Sequence, residues 1–189
     1  GRAAAEKHAV AYLRTIVAAQ DYMRRSAHQD PDGDHVGSAA SLAELGGKRP
    51  LPSGSLEQNP LYLTADQWLP STGFVAAGAY VYRVCLPAAG GGWFDPGAED
   101  PTPRLDAERA ERDYLVYGWP KTWSPGSPTT VYVSDAYEAI RILDETTGSD
   151  GARYAGESAP PPCDLAARES RFVPWNKKAP RTQLPGDSR

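Results

Sequence analysis

Three aspartates alternate at Asp30, Asp32 and Asp34. Carboxylates at every second position are the residues and spacing with which a loop begins to wrap calcium. The pattern stops half way, because His35 and Ser41 stand where an EF-hand loop needs its Gly and its final Glu. The run therefore reads as an Asx-type turn after a helix, and calcium is the one cofactor it leaves open. Cys85 and Cys163 lie far apart, without CxxC spacing or a neighbouring His, which speaks against zinc. One disulfide tying the C-terminal part to the body suits a chain of exported look, and two separate buried thiols are the alternative. His8 and His28 fall twenty positions apart on one helical run and cannot share a site; His35 lies in the loop beyond. No GxSxG elbow occurs, and Gly90-Gly91-Gly92 lacks the Lys-Ser/Thr that a phosphate loop needs. No catalytic residue is identified. Trp93 and Trp123 sit in Gly/Pro-rich stretches, where packing is the ordinary role and partner recognition the other.

The elements that must position these residues follow from pattern. Residues 2–27 form an Ala-rich helical run whose larger apolar residues, Val10, Leu13, Ile16, Val17 and Met23, recur three or four apart on one face. Val10, Leu13, Ile16 and Val17 are the expected contact between this helix and the body. No Ser, Thr, Asp or Asn caps its start, so the start reads as cut, with something upstream removed. Ser41 and Glu44 stand in capping-box relation before a short helical turn. Strand patterns occupy 78–86, 113–119, 129–133 and 139–143, the last two joined as a hairpin. Tyr80, Tyr82, Val84 and Leu86 share one face, and the opposite face is expected to meet water, loops or a partner. Residues 87–112 form an insert. The Pro-rich stretch 144–189 reads as an extended tail, strapped across the sheet if Cys163 pairs with Cys85.

The predicted fold is α+β, with a long N-terminal helix packed on a four-stranded antiparallel sheet. The expected division is a headpiece at 1–143, with its helix at 2–27 and its sheet at 78–143, followed by the tail at 144–189. The chain of 189 residues is long enough for one buried core. Its net charge of −4 gives no reason to expect nucleic acid as a partner. The charge is uneven: residues 1–29 carry five basic and two acidic side chains, whereas 30–143 carry eight and fifteen. That asymmetry allows head-to-tail self-association, although solvated charges on separate faces are the ordinary reading. No apolar run approaches the ~18 residues a membrane helix needs.

Read with its residues, this order of elements resembles the bacterial type IV pilin and type II secretion pseudopilin family. The likeness rests on 3–16 with Ala19-Gln20, on Asp30 to Leu45, and on the strand phrases Gly78–Arg83, Tyr114–Pro120 and Val131–Val133 through Ile140-Arg141. Two departures are the long insert and a last hairpin turn of Ser134-Asp135-Ala136-Tyr137-Glu138 where an Asp-x-x-Gly turn is usual. The resemblance implies a pilin-like headpiece, a non-catalytic structural subunit of a pilus-like or pseudopilus filament whose partners are other pilin-like subunits. It implies a membrane contact only through the absent N-terminal helix. It places the protein in the periplasm or outside a bacterium, anchored in the inner membrane before assembly into a cell-surface filament. The alternative expectation is an extracellular module that binds a glycan or protein through its Trp-bearing loops.

Overall fold

A computed structural model describes residues 1–53, 59–143 and 153–175. Helix α1 (Arg2–Ser26) follows from a run of strong helix formers broken by neither Gly nor Pro. Its buried positions are Ala9, Val10, Leu13, Ile16, Val17, Ala19, Gln20 and Met23, one stripe at helical spacing. The helix stops at Ala27, which takes the left-handed conformation (φ 51°) and donates its N–H to the Arg24 carbonyl, with Arg24 and Arg25 favourably placed on the last turn. Gln20, fully buried, donates Nε2–H to the Ala40 carbonyl at 2.7 Å and accepts the Ala40 N–H at 2.8 Å. Gly37 passes so close to the Arg24 carbonyl that a Cβ there would lie 2.1 Å from its oxygen, so only glycine fits. These contacts fold the loop after α1 back along the helix. Short helix α2 (Leu42–Leu45) then starts with both capping-box bonds, Glu44 N–H to Ser41 Oγ and Ser41 N–H to Glu44 Oε1.

The sheet departs from the expected one. Its strands are β1 (Trp68–Leu69), β2 (Phe74–Ala77), β3 (Tyr80–Pro87), β4 (Trp93–Phe94), β5 (Leu115–Pro120), β6 (Val131–Asp135), β7 (Ile140–Leu143) and β8 (Val173–Pro174). Every pairing is antiparallel, in the order β1-β2-β3-β5-β6-β7-β8, with β4 on β3. The four strands read from the sequence are β3, β5, β6 and β7, but they form the middle of an eight-stranded sheet. This corrects the four-stranded, pilin-like arrangement. The physical reason is edge extension. Phe74–Ala77, a short apolar run, turns through the two residues Gly78-Ala79 and pairs back on β3, with Gly78 at φ +57°. On the far edge, Val173–Pro174 adds to β7, with Ile142 opposite Val173. The insert between β3 and β5 holds β4, a 3-10 turn (Thr102–Arg104) and helix α3 (Ala107–Ala110).

Alternation along the strands divides the interior into two cores. The first lies under α1: Val10, Leu13, Ile16 and Val17 meet a face carrying Tyr80, Tyr82, Val84, Leu86, Val116 and Tyr132. The Tyr12 and Tyr82 rings lie 4.8 Å apart at its centre. The second core uses the opposite side chains, among them Phe74, Val81, Tyr117, Trp119 and Val133. The face expected to meet water, loops or a partner is covered by residues 153–172, through Tyr154, Leu165, Ala166 and Phe172. Within this segment helix α4 (Leu165–Arg168) forms one turn, so 153–175 is folded rather than simply extended. The rest of the expected tail, 144–152 and 176–189, lies outside the described residues. Cys85 and Cys163 are bonded to each other, pinning the segment to β3 across a sequence separation of 78. In the chain-entropy model a closure of that length contributes about 4 to 5 kcal/mol.

Two outcomes follow for stability. Leu13→Ala opens space in the first core at a fully buried position and lowers the urea-unfolding free energy by about 2–5 kcal/mol. Alkaline titration gives the second. Burial pushes the phenols of Tyr12 and Tyr117 up to about 12 and those of Tyr80, Tyr82 and Tyr114 further still. Unfolded tyrosines ionise near 10, about two units lower. Raised values mean that this contribution to stability is whole below pH ~10 and is lost as pH climbs through the folded values. The phenolate absorbance of these five tyrosines should therefore rise together with the loss of helical dichroism above pH ~10; full phenolate absorbance of all ten tyrosines reached while the helix signal is intact would contradict the two-core arrangement.

Candidate functional site

The residues with chemical potential gather at the C-terminal end of α1. The loop Asp30–Asp34 is built by its own carboxylates: Asp30 accepts the Gly33 N–H at one oxygen and the His35 N–H at the other, and Asp34 accepts the Val36 N–H. These are the Asx turns read from the sequence. Asp30, Asp32 and Asp34 each bring one carboxylate oxygen within 4.8 Å of the others, the only such acidic, His or Cys group among the described residues. Hard-cation coordination by oxygen is the chemistry this trio offers, with two of its carboxylates already accepting backbone N–H groups.

Beside the loop, α1 and the β6–β7 turn border an open depression of about 420 Å³, lined by Arg24, Arg25, Glu111, Arg112, Tyr137 and Glu138 among others. Arg24 is held in place. Its Nη2 meets Asp21 at 2.6 Å, its Nη1 donates to the Glu111 carbonyl at 3.2 Å, and its guanidinium lies over Tyr114. Glu111 joins the depression to the aspartate loop. Burial, then the neighbouring Asp34 and Asp32 carboxylates, push its carboxyl above the ordinary glutamate value, and its Oε1 is buried with no hydrogen-bond partner among the described residues. Tyr137 is 79% exposed at the hairpin tip, where Glu138 takes a positive φ. The arrangement presents charges of both signs and an aromatic ring on an open surface. Its chemistry suits salt-sensitive contact with another polar surface.

The remaining expected residues are dispersed. His8 stands on the exposed side of α1 near Tyr12, His28 packs by Tyr22, and His35 is exposed in the aspartate loop. Trp93 belongs to β4 rather than to a loop and packs on the second core with Arg109 over its ring. Trp123 does sit in a loop, 47% exposed, with the Arg153 guanidinium 3.8 Å from its ring centre. Val10, Leu13, Ile16 and Val17 lie together between helix and sheet.

Sequence reasoning missed Arg83 and Gln20. Arg83 is 6% exposed on the second face, paired with Asp95 at 3.2 Å and donating to the Pro161 carbonyl. A lone Arg within an apolar strand was the available signal, since such a cation needs a partner.

Glu111→Gln keeps the shape and removes one charge from this acidic corner. Because the folded carboxyl is raised, wild-type stability falls as pH climbs from the ordinary glutamate range through the raised value. The variant should melt higher than wild type at neutral pH, with the gap closing below about pH 4; an equal gap at both pH values would remove Glu111 from the cluster. Set against known proteins, the chain matches no family model, no curated protein and no solved structure.

Proposed function

We propose that the chain is a non-catalytic headpiece of a pilus-like or pseudopilus filament, displayed at or beyond the surface of a bacterium and partnered by other subunits of the same kind. The observation that supports it most is how α1 is used. From Ala9 onward one stripe is buried on the sheet, while Gly1–Ala4, Lys7 and His8 stand in solvent. A helix docked along one stripe, with its first turns exposed, is suited to carry a folded domain on a helical stalk. The sequence likeness in 3–20, 30–45 and the strand phrases adds to this; the eight-stranded sheet is where the chain departs from it.

A second reading, an extracellular binding module, draws on Trp123, whose half-exposed ring is already backed by Arg153. Immunogold labelling and blotting of sheared surface fractions from the source bacterium separate the two. The filament reading expects label along filaments and the chain in the sheared fraction. Chain found only as a dispersed monomer that binds a glycan or peptide array, and stops doing so on Trp123→Ala, overturns it in favour of the module.

A further inference from the structure

We propose that residues 153–172 are a redox-latched strap: reduction of the Cys85–Cys163 bond releases them from the sheet and uncovers its second face, while α1 and the rest of the sheet stay folded. The inference stands apart from the filament reading.

The way the strap is held supports this. Apart from the apolar contacts of Tyr154, Leu165, Ala166 and Phe172, it is held by hydrogen bonds, most of them from sheet side chains to strap backbone; Gly156 N–H also donates to the Pro120 carbonyl, and the Ser71 and Thr72 hydroxyls donate to Glu157. Trp119 Nε1 donates to the Gly156 carbonyl at 2.8 Å, and Arg83 donates to Pro161. The Tyr117 hydroxyl donates to the Cys163 carbonyl and accepts the Ala166 N–H, both at 2.9 Å, and Arg141 donates to the Ala166 carbonyl. Water can replace each of these bonds when the strap lifts, which lowers the cost of local opening.

Charges are also balanced within each part. Arg83 keeps Asp95 on the sheet side, whereas Glu169 keeps Arg171, and Asp164 keeps Arg168, within the strap. Lifting the strap leaves each of these ions with its partner. The sheet beneath has independent support: the β3–β5 ladder runs from Tyr80 opposite Pro120 to Cys85 opposite Leu115, and α1 covers its other face. The disulfide is the one covalent tie between strap and β3.

The latch is also reachable. Cys85 is fully buried, but Cys163 is partly exposed. A dithiol reductant attacks there: its thiolate bonds to Cys163 Sγ, the Sγ–Sγ bond breaks, and Cys85 leaves as thiolate and takes a proton. The reductant's second thiol then displaces Cys163 and closes the reductant's own disulfide. Two electrons and two protons pass from the dithiol to the cysteine pair.

Hydrogen exchange read by mass spectrometry on the full chain tests this, with and without dithiothreitol, the free thiols counted by alkylation. Strap amides that are bonded in the closed state, those of Gly156, Ala166 and Glu169, should exchange at least about tenfold faster once both thiols are free, a local opening rather than a global one. Amides of α1, β3 and β5 should keep their protection. Cys163→Ser should reproduce the opened pattern without reductant. Strap amides that stay protected in the reduced chain or in Cys163→Ser overturn the proposal. Loss of protection in α1 and β3 together with the strap overturns it equally, since the disulfide is then a brace of the whole domain and not a latch.

Discussion

Both faces of this sheet are apolar, and the rest of the structure answers that constraint. A strand places successive side chains on opposite faces, so Tyr80, Tyr82 and Val84 demand cover on one side while Val81 and Cys85 demand it on the other. One helix can satisfy only one face. Helix α1 does so with a stripe that runs from Ala9 to Met23. The second face has no long helix available, and the chain covers it with a returning segment that has one helical turn and four sizeable apolar contacts. A cover that small buries less apolar surface than the stripe of α1 does. The disulfide and the hydrogen bonds to strap carbonyls make up the difference.

The two cores therefore differ in kind. The first is helix on sheet, and its tyrosines meet largely as rings: the hydroxyls of Tyr12 and Tyr82 have no hydrogen-bond partner among the described residues. The second is polar at its centre. Tyr117, Trp119 and Arg83 each send a donor out of the sheet into the strap's backbone. A buried guanidinium is costly unless paired, and burial lowers the Arg83 pKa while Asp95 works against that shift. Such polar anchors fix the position of the strap more than they add stability, since a backbone carbonyl must arrive at the right place to meet each one.

The sequence made some of this legible, for reasons that can be named. Residues 2–26 were readable as a helix because helical period, Ala content and the absence of Gly and Pro all agreed. β3, β5, β6 and β7 were readable because each is a run of β-branched and aromatic residues with a clear stop. The edge strands were not. β1 and β8 are two residues each, below any periodicity, although β2 carried a usable hairpin signal in its apolar run and the Gly78 turn. Alternation does not say whether the second set of side chains is wet, so it allowed water, loops or a partner on that face, and the cysteine pair was the signal for a strap there. Val81, Cys85, Val131 and Val133 are as apolar as the set facing α1, and a sheet hydrophobic on both sides predicts a second layer. At the candidate site the aspartate turns were legible in their spacing. The approach of Glu111 was not, because it depends on how the insert folds back beside α1.

The placement of charge along α1 bears on how such a domain meets its neighbours. The exposed N-terminal turns hold Lys7 and the Arg2–Glu6 pair, while the aspartate loop, Glu111 and Glu138 collect beside Arg24, Arg25 and Arg112 at the other end, roughly 37 Å away at 1.5 Å per residue. Carboxylates set beside guanidinium groups prefer a facing surface that offers both signs in matching places. Over contact distances this preference survives the ~8 Å screening length of physiological salt, and over longer ones it does not. Such a field acts on a surface already in contact rather than drawing one in from solution.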